Sequence, residues 1–486
     1  MTTLVLFLLT QSDIYPQNLA WDRYSMMAPL GRVTSIASSN QHVFALSDDY
    51  LLFIDKYTFR MENTIYLNRS AELVGYDPYT TDLWIACRDN LIRLMTTSYS
   101  LRQFPIQFTV SQFSIDVDKI YIESNRDGQK YALDKITGVV SAVTSFPRNL
   151  TWYKKVSNSD IMQYPFLSPY YFSDDIQTSQ IPFERYPITA IHDDGMNLYV
   201  GTDRYGLLKY NKISWQSQRI VNGPLDSRVI AVRKTDDRIV LISNSGISYF
   251  TPQTGIWDYQ RFRDAVVDLV YYSEQIYVAR RNSVFRIAGT MEFPVGTFNK
   301  DILSLAHDER NIYIGTRSGA YRIIEGTSEP VLFGPTTHAV NIIYATARSV
   351  YVGGELGMYE YDREAGEWST VLNFGTKDIV EVAGDIYSLG TNNQIIRHPS
   401  ATVDSATIDT AWVLLPYFNV YDIDTDGTVL YCATYSGIYY YEPVSAQYRI
   451  IYNLPRVAYD HVFVVDDRLF ALSKGLIYSL PLEYRD

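Results

Sequence analysis

The stretch Ile312-Tyr-Ile-Gly-Thr316, followed after two residues by Gly319-Ala-Tyr-Arg-Ile323, decides the fold of this 486-residue chain. Related copies occur at Leu198-Tyr-Val-Gly-Thr202 and at Val350-Tyr-Val-Gly353. With Gly315 as the anchor, equivalent positions recur at steps of about 36 to 43 residues, apart from one step of double length, and such a period is typical of repeated β-units. These positions are Leu46, Ala86, Glu123, Gly201, Ile242, Ala279, Gly353, Gly390, Ala433 and Leu472.

Each repeat contains four short runs typical of strands. In the copy around Gly315 they cover residues 301–305, 311–315, 319–323 and 329–333, with polar turn residues between them. Alternating or β-branched runs of this length, rich in aromatic residues, predict half-buried antiparallel strands. No window shows a sustained helical period, which disfavours solenoids of helix pairs. We therefore predict an all-β chain of β-propeller repeats with about twelve four-stranded blades.

The number of blades predicts more than one ring, because single propellers usually have about four to eight. We favour two propellers in tandem with about six blades each, residues 18–253 and 254–486, divided near Thr254. One blade of the first ring would be a degraded repeat at residues 149–186. The segment Leu19-Ala-Trp-Asp-Arg-Tyr24 resembles an outermost strand, and the last repeat supplies three strands. A five-plus-seven split, and a nested arrangement with one ring inserted into the other, also satisfy the pattern.

Composition and the first residues indicate the compartment. A net charge of −12 argues against a nucleic-acid partner, whose phosphates would require a basic surface. The apolar run within residues 1–10 predicts a signal peptide over residues 1–17, although a basic start and a small-residue cleavage site are missing. The alternative is an apolar strand or a frayed terminus. No later apolar run approaches about 18 residues, so we expect no membrane span. We therefore expect an extracytoplasmic protein that is periplasmic, held at the cell surface or secreted.

Two sequence features resemble metal sites. Asp422-Ile-Asp424-Thr-Asp426-Gly427 matches the opening of a calcium loop. The twelfth position is Ala433 rather than Glu, and Asp-Gly is favoured in a strand turn for its backbone conformation, so we interpret this stretch as a turn. His192 and His307 each precede an acidic residue, but in separate repeats. We therefore predict no metal and no cofactor.

The sequence lacks the common catalytic and nucleotide-binding motifs. The chain has no Gly-x-Ser-x-Gly elbow, no phosphate-binding Gly-x-x-x-x-Gly-Lys and no dinucleotide-binding glycine pattern. Cys87 and Cys432 fall in widely separated repeats, so we expect buried thiols rather than a disulfide. Carboxylates could meet across blades in a channel, as in propeller glycosidases, but we favour a protein that is not an enzyme.

The loops between second and third strands form the predicted ligand-binding face. Blades are arranged radially, so these loops gather around one mouth per ring although they are far apart in sequence. Arginine, acidic and tyrosine side chains suit sugar hydroxyls or peptide backbone. We predict that the ligand-binding residues are Asp203, Arg204, Tyr205, Arg280, Arg281, Arg317, Glu355 and Tyr435.

The repeat at residues 188–210 resembles the propeller repeat of two-component regulators. The shared parts are the turn Asp193-Asp194-Gly195 and the sequence Gly201-Thr202 followed by Gly206. Tyr199 stands where that family usually has Trp, and Tyr205 replaces the first of a glycine pair. The resemblance covers the propeller region only. It implies an extracytoplasmic propeller, which in the sensor proteins of this family recognises a glycan or glycan fragment.

Three functional hypotheses follow. The favoured one is a non-catalytic extracytoplasmic propeller that binds a glycan or a protein partner in a sensory or scaffold role. The second is a component of a cell-surface or secretion assembly. The third is an enzyme with a carboxylate site in the channel mouth, and it predicts acids with raised pKa clustered in one channel.

Overall fold

The computed structural model consists almost entirely of short antiparallel strands. It describes residues 25–27, 31–47, 50–59, 61–67, 70–126, 128–173, 184–220, 222–235, 238–244, 246–262, 264–288, 291–324, 327, 329–334, 338–398, 411–413 and 419–485. Within these ranges the only helices are α1 (Asn158–Ile161) and a 3₁₀ turn at Leu482–Tyr484. The chain therefore has the all-β propeller-repeat fold that its sequence predicts.

After strand β1 (Ser25–Met27), four sheets follow that we call the four-sheet unit. One strand of each sheet contacts the next in the spatial order β16 (Glu184–Asp193), β2 (Val33–Ser38), β6 (Ala71–Tyr76) and β10 (Val110–Ile115). The strands are β2 (Val33–Ser38), β3 (His42–Ser47), β4 (Tyr50–Asp55) and β5 (Met61–Tyr66); β6 (Ala71–Tyr76), β7 (Leu83–Cys87), β8 (Asn90–Met95) and β9 (Ser100–Pro105); β10 (Val110–Ile115), β11 (Lys119–Ser124), β12 (Lys130–Asp134), β13 (Val140–Ala142) and β14 (Trp152–Lys154); β15 (Tyr170–Ser173), β16 (Glu184–Asp193), β17 (Asn197–Thr202), β18 (Leu207–Asn211) and β19 (Ser217–Ile220).

Seven further sheets form a closed propeller that we call the ring. Their first strands contact one another in the cycle β20, β24, β28, β32, β36, β40, β44 and back to β20. The strands are β20 (Val229–Lys234), β21 (Ile239–Ser243), β22 (Gly246–Thr251) and β23 (Ile256–Arg261); β24 (Val266–Tyr272), β25 (Gln275–Arg280), β26 (Ser283–Ala288) and β27 (Met291–Thr297); β28 (Ile302–His307), β29 (Asn311–Thr316), β30 (Gly319–Ile324) and β31 (Val331–Leu332); β32 (Val340–Ala345), β33 (Ser349–Gly354), β34 (Met358–Asp362) and β35 (Glu367–Leu372); β36 (Thr376–Val382), β37 (Asp385–Gly390), β38 (Ile395–His398) and β39 (Ala411–Val413); β40 (Val420–Thr425), β41 (Leu430–Thr434), β42 (Gly437–Glu442) and β43 (Gln447–Ile450); β44 (His461–Val465), β45 (Arg468–Ser473) and β46 (Leu476–Pro481).

Strand β1 completes the last sheet of the ring. It pairs antiparallel with β46, with Met26 opposite Tyr478, so the four-sheet unit is inserted between β1 and β20. Thr254 lies in the turn between β22 and β23, and the predicted division there runs through a single sheet. In the described residues the four-sheet unit thus lies between two parts of the ring and does not precede a complete ring in tandem. Both orders place an outermost strand before the first blade, and local sequence does not show which distant strand it pairs with.

The degraded repeat at residues 149–186 is divided between two sheets. Strand β14 joins the inner edge of β10, and β15 joins β16. Ile161, in the short helix α1, and Leu167 pack on the sheet of β16–β19. On β14, Tyr153 packs against Phe113 and donates a hydrogen bond to the carbonyl oxygen of Tyr76, 3.0 Å away. These residues therefore fill space around neighbouring sheets rather than forming a blade of their own.

Close packing between neighbouring sheets explains the small residue at the repeat anchor. A Cβ atom on Gly315 would lie 2.6 Å from the carbonyl oxygen of Val340 in the next sheet. The threonine that follows has a separate role, because Thr316 Oγ1 donates to the carbonyl oxygen of Gly319 at 2.9 Å and closes the loop between β29 and β30. Neighbouring blades therefore approach each other closely at this position.

The tyrosine of the repeat connects neighbouring sheets through an aspartate. Tyr313 is buried, and its hydroxyl donates to Asp308 in the turn before β29 at 2.6 Å. Arg363 from the next sheet reaches the same carboxylate at 2.6 Å. Burial raises the pKa of Asp308, but hydrogen bonds, first among them that from Tyr313, outweigh it and hold the pKa at about 2. Aspartate, tyrosine and a cation therefore join two blades.

The predicted signal peptide, residues 1–17, lies outside the described residues, as does the strand-like segment 19–24. Among the helices in the described ranges, none has the length and apolar character needed to cross a bilayer.

Candidate functional site

Five of the seven inner strands of the ring carry a polar residue at one repeated position. Six ring sheets have first strands, β20, β24, β28, β32, β36 and β40, whose pairing with the second strand shifts by one residue. The shift lies near the start of the first strand. The residue after each shift faces the neighbouring inner strand: Asp268 Oδ2 accepts a hydrogen bond from the Leu305 amide at 2.8 Å, and Asp422 Oδ2 from the Val462 amide at 3.0 Å. The equivalent positions are Ala231, Asp268, Ser304, Ile342, Asp378 and Asp422, with His461 as their counterpart on β44.

Charged side chains of five inner strands meet in the centre of the ring and form what we call the lumen cluster. Its cations reach its carboxylates in three pairs: Arg233 and Asp268 at 2.7 Å, Lys234 and Asp424 at 2.6 Å, and His461 and Asp422 at 3.3 Å. Buried charges are stable only when they are paired or hydrogen-bonded, so these pairs account for most of the cluster. The cluster comprises Arg233, Lys234, Asp268, Lys377, Asp378, Asp422, Asp424 and His461.

One pair of the cluster spans the seam of the ring. Lys234 on β20 reaches Asp424 on β40 and also donates to the carbonyl oxygen of Val464 on β44 at 3.1 Å. Asp424 in turn accepts a hydrogen bond from the Val464 amide at 2.6 Å. The chain enters β20 from the four-sheet unit and reaches β44 only at the end of the ring, so no short connection joins these neighbouring sheets. The lysine contacts contribute to closing that seam.

Burial and like charge raise the pKa of two acids in the lumen cluster. Burial raises the pKa of Asp378 well above its usual value, and the neighbouring carboxylate of Asp422 raises it further. Burial also raises the pKa of Asp424 despite its lysine partner. For His461, burial acts to lower the pKa, but the Asp422 carboxylate outweighs it and the net shift is upward. Acids with raised pKa clustered in one channel are what the carboxylate-site hypothesis predicts.

Four residues at one end of neighbouring ring sheets define a surface that we call the mouth: Lys377, Asn393, Tyr421 and Tyr435. Lys377 Nζ donates to Asn393 Oδ1 at 2.7 Å and to the carbonyl oxygen of Val420 at 3.2 Å. Tyr421 follows Val420 and is 40 % exposed, and Tyr435 lies in the loop between β41 and β42 and is 50 % exposed. The mouth therefore combines an ammonium group, an amide and two solvent-facing aromatic rings.

Four of the predicted ligand-binding residues lie on exposed loops of the ring. Arg281 and Arg317 come from neighbouring sheets, and both approach the carboxylate of Asp301, at 3.5 and 3.4 Å. Glu355 is exposed in the loop between β33 and β34, and Tyr435 belongs to the mouth. These four residues lie in loops between the second and third strands of ring sheets, and their role in ligand binding stays a prediction.

Arg280 and Tyr205 are core side chains, which corrects their assignment to the ligand-binding face. Arg280 is 5 % exposed and forms two hydrogen bonds with Glu292. Its guanidinium carbon lies 4.6 Å from the ring centre of Phe262. Tyr205 is buried, with its ring 4.7 Å from that of Tyr186. Side chains alternate between the two faces of a strand, so adjacent residues at a strand end differ in exposure.

Asp203 and Arg204 belong to the four-sheet unit, away from the mouth of the ring. The Arg204 amide donates to the carbonyl oxygen of Gly31 at 3.0 Å, and Asp203 forms an isolated bridge with Arg32. The carbonyl oxygen of Arg204 accepts a hydrogen bond from Arg261 of the ring at 2.5 Å. These two residues therefore lie at the junction between the unit and the ring.

The stretch that resembles a calcium loop sends its carboxylates to different partners. Asp422 and Asp424 belong to the lumen cluster, whereas Asp426 accepts a hydrogen bond from Tyr431 at 2.9 Å in the turn before β41. His192 contacts Ser38 Oγ at 2.9 Å, and burial lowers its pKa to about 4. In the described part of the chain, no group of three His, Cys, Asp or Glu side chains is placed to hold a metal ion.

Sequence reasoning missed most of the lumen cluster because it searched the loops. A signal was present, since charged residues interrupt runs that should form buried strands, as in Val266-Val-Asp268 and Thr376-Lys-Asp378. Asp and Lys are almost never fully buried unless paired. A charge at the same repeat position in several inner strands would have pointed to the lumen.

Comparisons with known proteins give a fold-level likeness. No family model matches the chain, and no curated protein matches it. The chain aligns with the extracellular domain of BT4673 from B. thetaiotaomicron, a protein described as a one-component system in one solved structure and as a hybrid two-component system in another. For the first, identity is 11 %, the TM-score is 0.43, and 93 % of this chain and 69 % of that chain are covered. For the second, identity is 11 %, the TM-score is 0.44, and the coverage is 92 % and 70 %.

A third solved structure is the β-propeller domain of Cps50 (Swd1) from Myceliophteria thermophila. It is 12 % identical with a TM-score of 0.44, over 52 % of this chain and 96 % of that chain. Because all three TM-scores lie below 0.5, these alignments add nothing to the assignment of the site.

Proposed function

We propose that the protein is a non-catalytic, extracytoplasmic propeller whose ring binds a glycan or a protein partner at the mouth, in a sensory or scaffold role. The observation that supports this most is the mouth itself, where the ammonium group of Lys377 contacts Asn393 and Val420 and two tyrosines nearby in the sheet, Tyr421 and Tyr435, are partly exposed. Exposed loops at the end of a rigid propeller are a common place for binding residues.

The chemistry of the mouth suits sugars and peptide backbone. The partly exposed rings of Tyr421 and Tyr435 offer apolar faces for stacking and hydroxyls for hydrogen bonds. Asn393 has both a donor and an acceptor group, and Arg281 and Arg317 add donors along the rim. The resemblance of the repeat to that of two-component regulators supports the extracytoplasmic location and favours a glycan.

A glycan array and a pull-down from envelope extract would test this proposal with three variants. Tyr421→Ala and Tyr435→Ala should reduce retention of the bound glycan or partner, because each removes a stacking surface. Tyr57→Ala is the matched control, since Tyr57 is an exposed tyrosine of the four-sheet unit. If the control variant lost binding while the two mouth variants kept it, the mouth would not be the binding site.

An enzyme is a second candidate, favoured by the acids of the lumen cluster. Because burial and the Asp422 carboxylate raise the pKa of Asp378, this side chain can stay protonated at a pH where ordinary carboxyls are ionised, as a general acid must. A carboxylate beside it is the arrangement that glycoside hydrolysis uses. Turnover of an oligosaccharide panel that disappears in Asp378→Asn would favour the enzyme. Binding without turnover would favour the non-catalytic module.

A component of a surface or secretion assembly is a third candidate, favoured by one outer edge of the ring. Strand β31 is the outermost strand of its sheet, and both of its residues, Val331 and Leu332, are exposed. Exposed apolar edge strands can pair with another chain. Loss of a stable complex in Leu332→Lys, with glycan binding unchanged, would favour this candidate over the mouth.

A further inference from the structure

Lys377 differs from the other cations of the lumen cluster in its partners. Arg233, Lys234 and His461 each contact a carboxylate. Within the described part of the chain, the hydrogen bonds of Lys377 Nζ go to two neutral oxygens, Asn393 Oδ1 and the carbonyl oxygen of Val420. An ammonium group has three donors, so these two contacts leave one N–H for a further acceptor.

The neighbouring acid, Asp378, forms no hydrogen bond with Lys377 in the described part of the chain. Asp378 precedes Ile379 and accepts a hydrogen bond from its amide at 2.9 Å. Its raised pKa favours the neutral form of the carboxyl. Burial lowers the pKa of Lys377, while the charges of Asp378 and Asp422 act in the opposite direction. A cation that is partly desolvated and bonded to neutral oxygens gains most from an anionic partner.

On the premise that the mouth binds a ligand, we propose that Lys377 receives the carboxylate of a uronic acid in an acidic oligosaccharide. The carboxylate would accept the remaining N–H of the ammonium group in a charge-assisted hydrogen bond. Tyr421 follows Val420, whose carbonyl oxygen Lys377 contacts, and Tyr435 follows Thr434, the residue that pairs with Val420. Both side chains are partly exposed and offer stacking surfaces for the sugar ring. This combination favours a sugar acid over a simple inorganic anion.

Isothermal titration with uronic-acid oligosaccharides and with their carboxyl-reduced counterparts tests the proposal. We expect the native protein to bind the acidic sugars at least about tenfold more tightly than the reduced ones, which corresponds to one charge-assisted contact. Lys377→Met should bring the two affinities within about twofold of each other, because it removes the ammonium group while keeping a long side chain. Lys119→Met, a change at an exposed position of the four-sheet unit, is the control for net charge and should retain the preference.

Chemical labelling gives a second measurement that requires no variant. Acetic anhydride labels neutral amines, and mass spectrometry reports the extent at each lysine. An acidic oligosaccharide should slow labelling of Lys377 several-fold and leave Lys119 unchanged. This measurement decides the matter if Lys377→Met does not fold. Equal labelling of Lys377 with and without the acidic sugar would overturn the proposal.

The outcomes separate the inference from the proposed function. Equal affinity for acidic and reduced sugars would overturn the role of Lys377 and leave a sugar-binding mouth in place. Binding of peptides with a free C-terminal carboxylate, with no binding of uronic acids, would overturn the sugar assignment. If neither sugars nor peptides bound, and the Tyr421 and Tyr435 variants retained every partner found by pull-down, both the inference and the proposed function would fail.

Discussion

The ring and the four-sheet unit have the same kind of repeat but different centres. In the ring, inner strands carry the charged side chains of the lumen cluster, and the mouth opens to solvent. In the four-sheet unit, the additional strand β14 lies on the inner edge of β10, and Tyr153 packs against Phe113 and Gly75. The repeat therefore determines the sheets, whereas the inner residues determine whether charged or apolar side chains fill the centre.

The ring itself has a charged side and a neutral side. At the repeated position after the strand shift, Asp378, Asp422 and His461 lie on the three sheets that lead to the seam, whereas Ser304 and Ile342 lie on the two sheets before them. Charge is therefore concentrated where two sheets meet without a short chain connection. Closing the seam and forming the site involve the same side chains.

The largest loss of stability should follow from removing the Tyr153 side chain, which packs between two sheets of the four-sheet unit. Tyr153→Ala removes a ring that packs between two sheets and should lower the free energy of unfolding of this unit by about 3 kcal/mol or more. Tyr421→Ala, at the solvent-facing mouth of the ring, should cost less than about 1 kcal/mol. Denaturant unfolding of both variants measures the difference. Equal costs would show that the two centres are not different in packing.

The next effect concerns a buried ion pair of the ring. Asp268 is 1 % exposed, so Arg233→Met leaves its carboxylate without its cation and should lower the free energy of unfolding by about 2 to 3 kcal/mol. Arg348→Met is the control, because Arg348 and Asp362 form an exposed pair whose loss should cost less than about 1 kcal/mol.

Adding Asp268→Asn to Arg233→Met should recover part of the loss, since the neutral amide needs no cation. If the double variant were less stable than Arg233→Met, the account of the pair as a charge-compensating contact would be wrong.

The pH dependence of stability should distinguish the lumen from the turns. Asp378, Asp424 and His461 have raised pKa values in the folded ring, so their contribution is fully present below the unfolded pKa and is lost as pH rises through the folded values. Asp308 has its pKa lowered to about 2, so its contribution is present above the unfolded pKa and is lost as pH falls through the folded value. We therefore expect maximum stability at mildly acidic pH.

Thermal unfolding across pH measures this profile, and Asp378→Asn provides the control. That variant should flatten the loss of stability toward alkaline pH and leave the loss at acid pH unchanged. A profile of the variant that matched the native one at every pH would contradict the raised pKa of Asp378.

The smallest effect is expected at the rim. Arg281→Gln should change the free energy of unfolding by less than about 0.5 kcal/mol, because the side chain is 87 % exposed and its contact with Asp301 is long. Arg280→Gln, one residue earlier, should cost several times more because its buried partner Glu292 loses a cation. Similar costs for the two variants would contradict their different positions.

Local sequence predicted the features that each repeat contains within itself. The small anchor, the threonine after it and the four strands all follow from short-range patterns around Gly315. The insertion of the four-sheet unit into the ring was not predictable in this way, because it depends on the pairing of Met26 with Tyr478, residues at opposite ends of the described chain.

The candidate site was predicted only in part, because its contacts also join segments that are distant in sequence. Arg281 and Arg317 lie on exposed loops, where their binding role stays a prediction, whereas Arg280 is buried because β25 continues through it. The contacts of Lys377 with Asn393 and Val420 join three strands and loops whose approach only the folded ring shows. The repeat pattern therefore predicts the loops of the rim but not the contacts among the inner strands.

Hydrogen–deuterium exchange with and without the retained glycan or partner tests the central claim most directly, because it maps the binding surface along the whole chain. The account predicts slower exchange at the mouth, in residues 390–394, 419–421 and 434–437, with no change in the loops 124–130 and 202–206 of the four-sheet unit. Protection of those two loops with an unchanged mouth would contradict it.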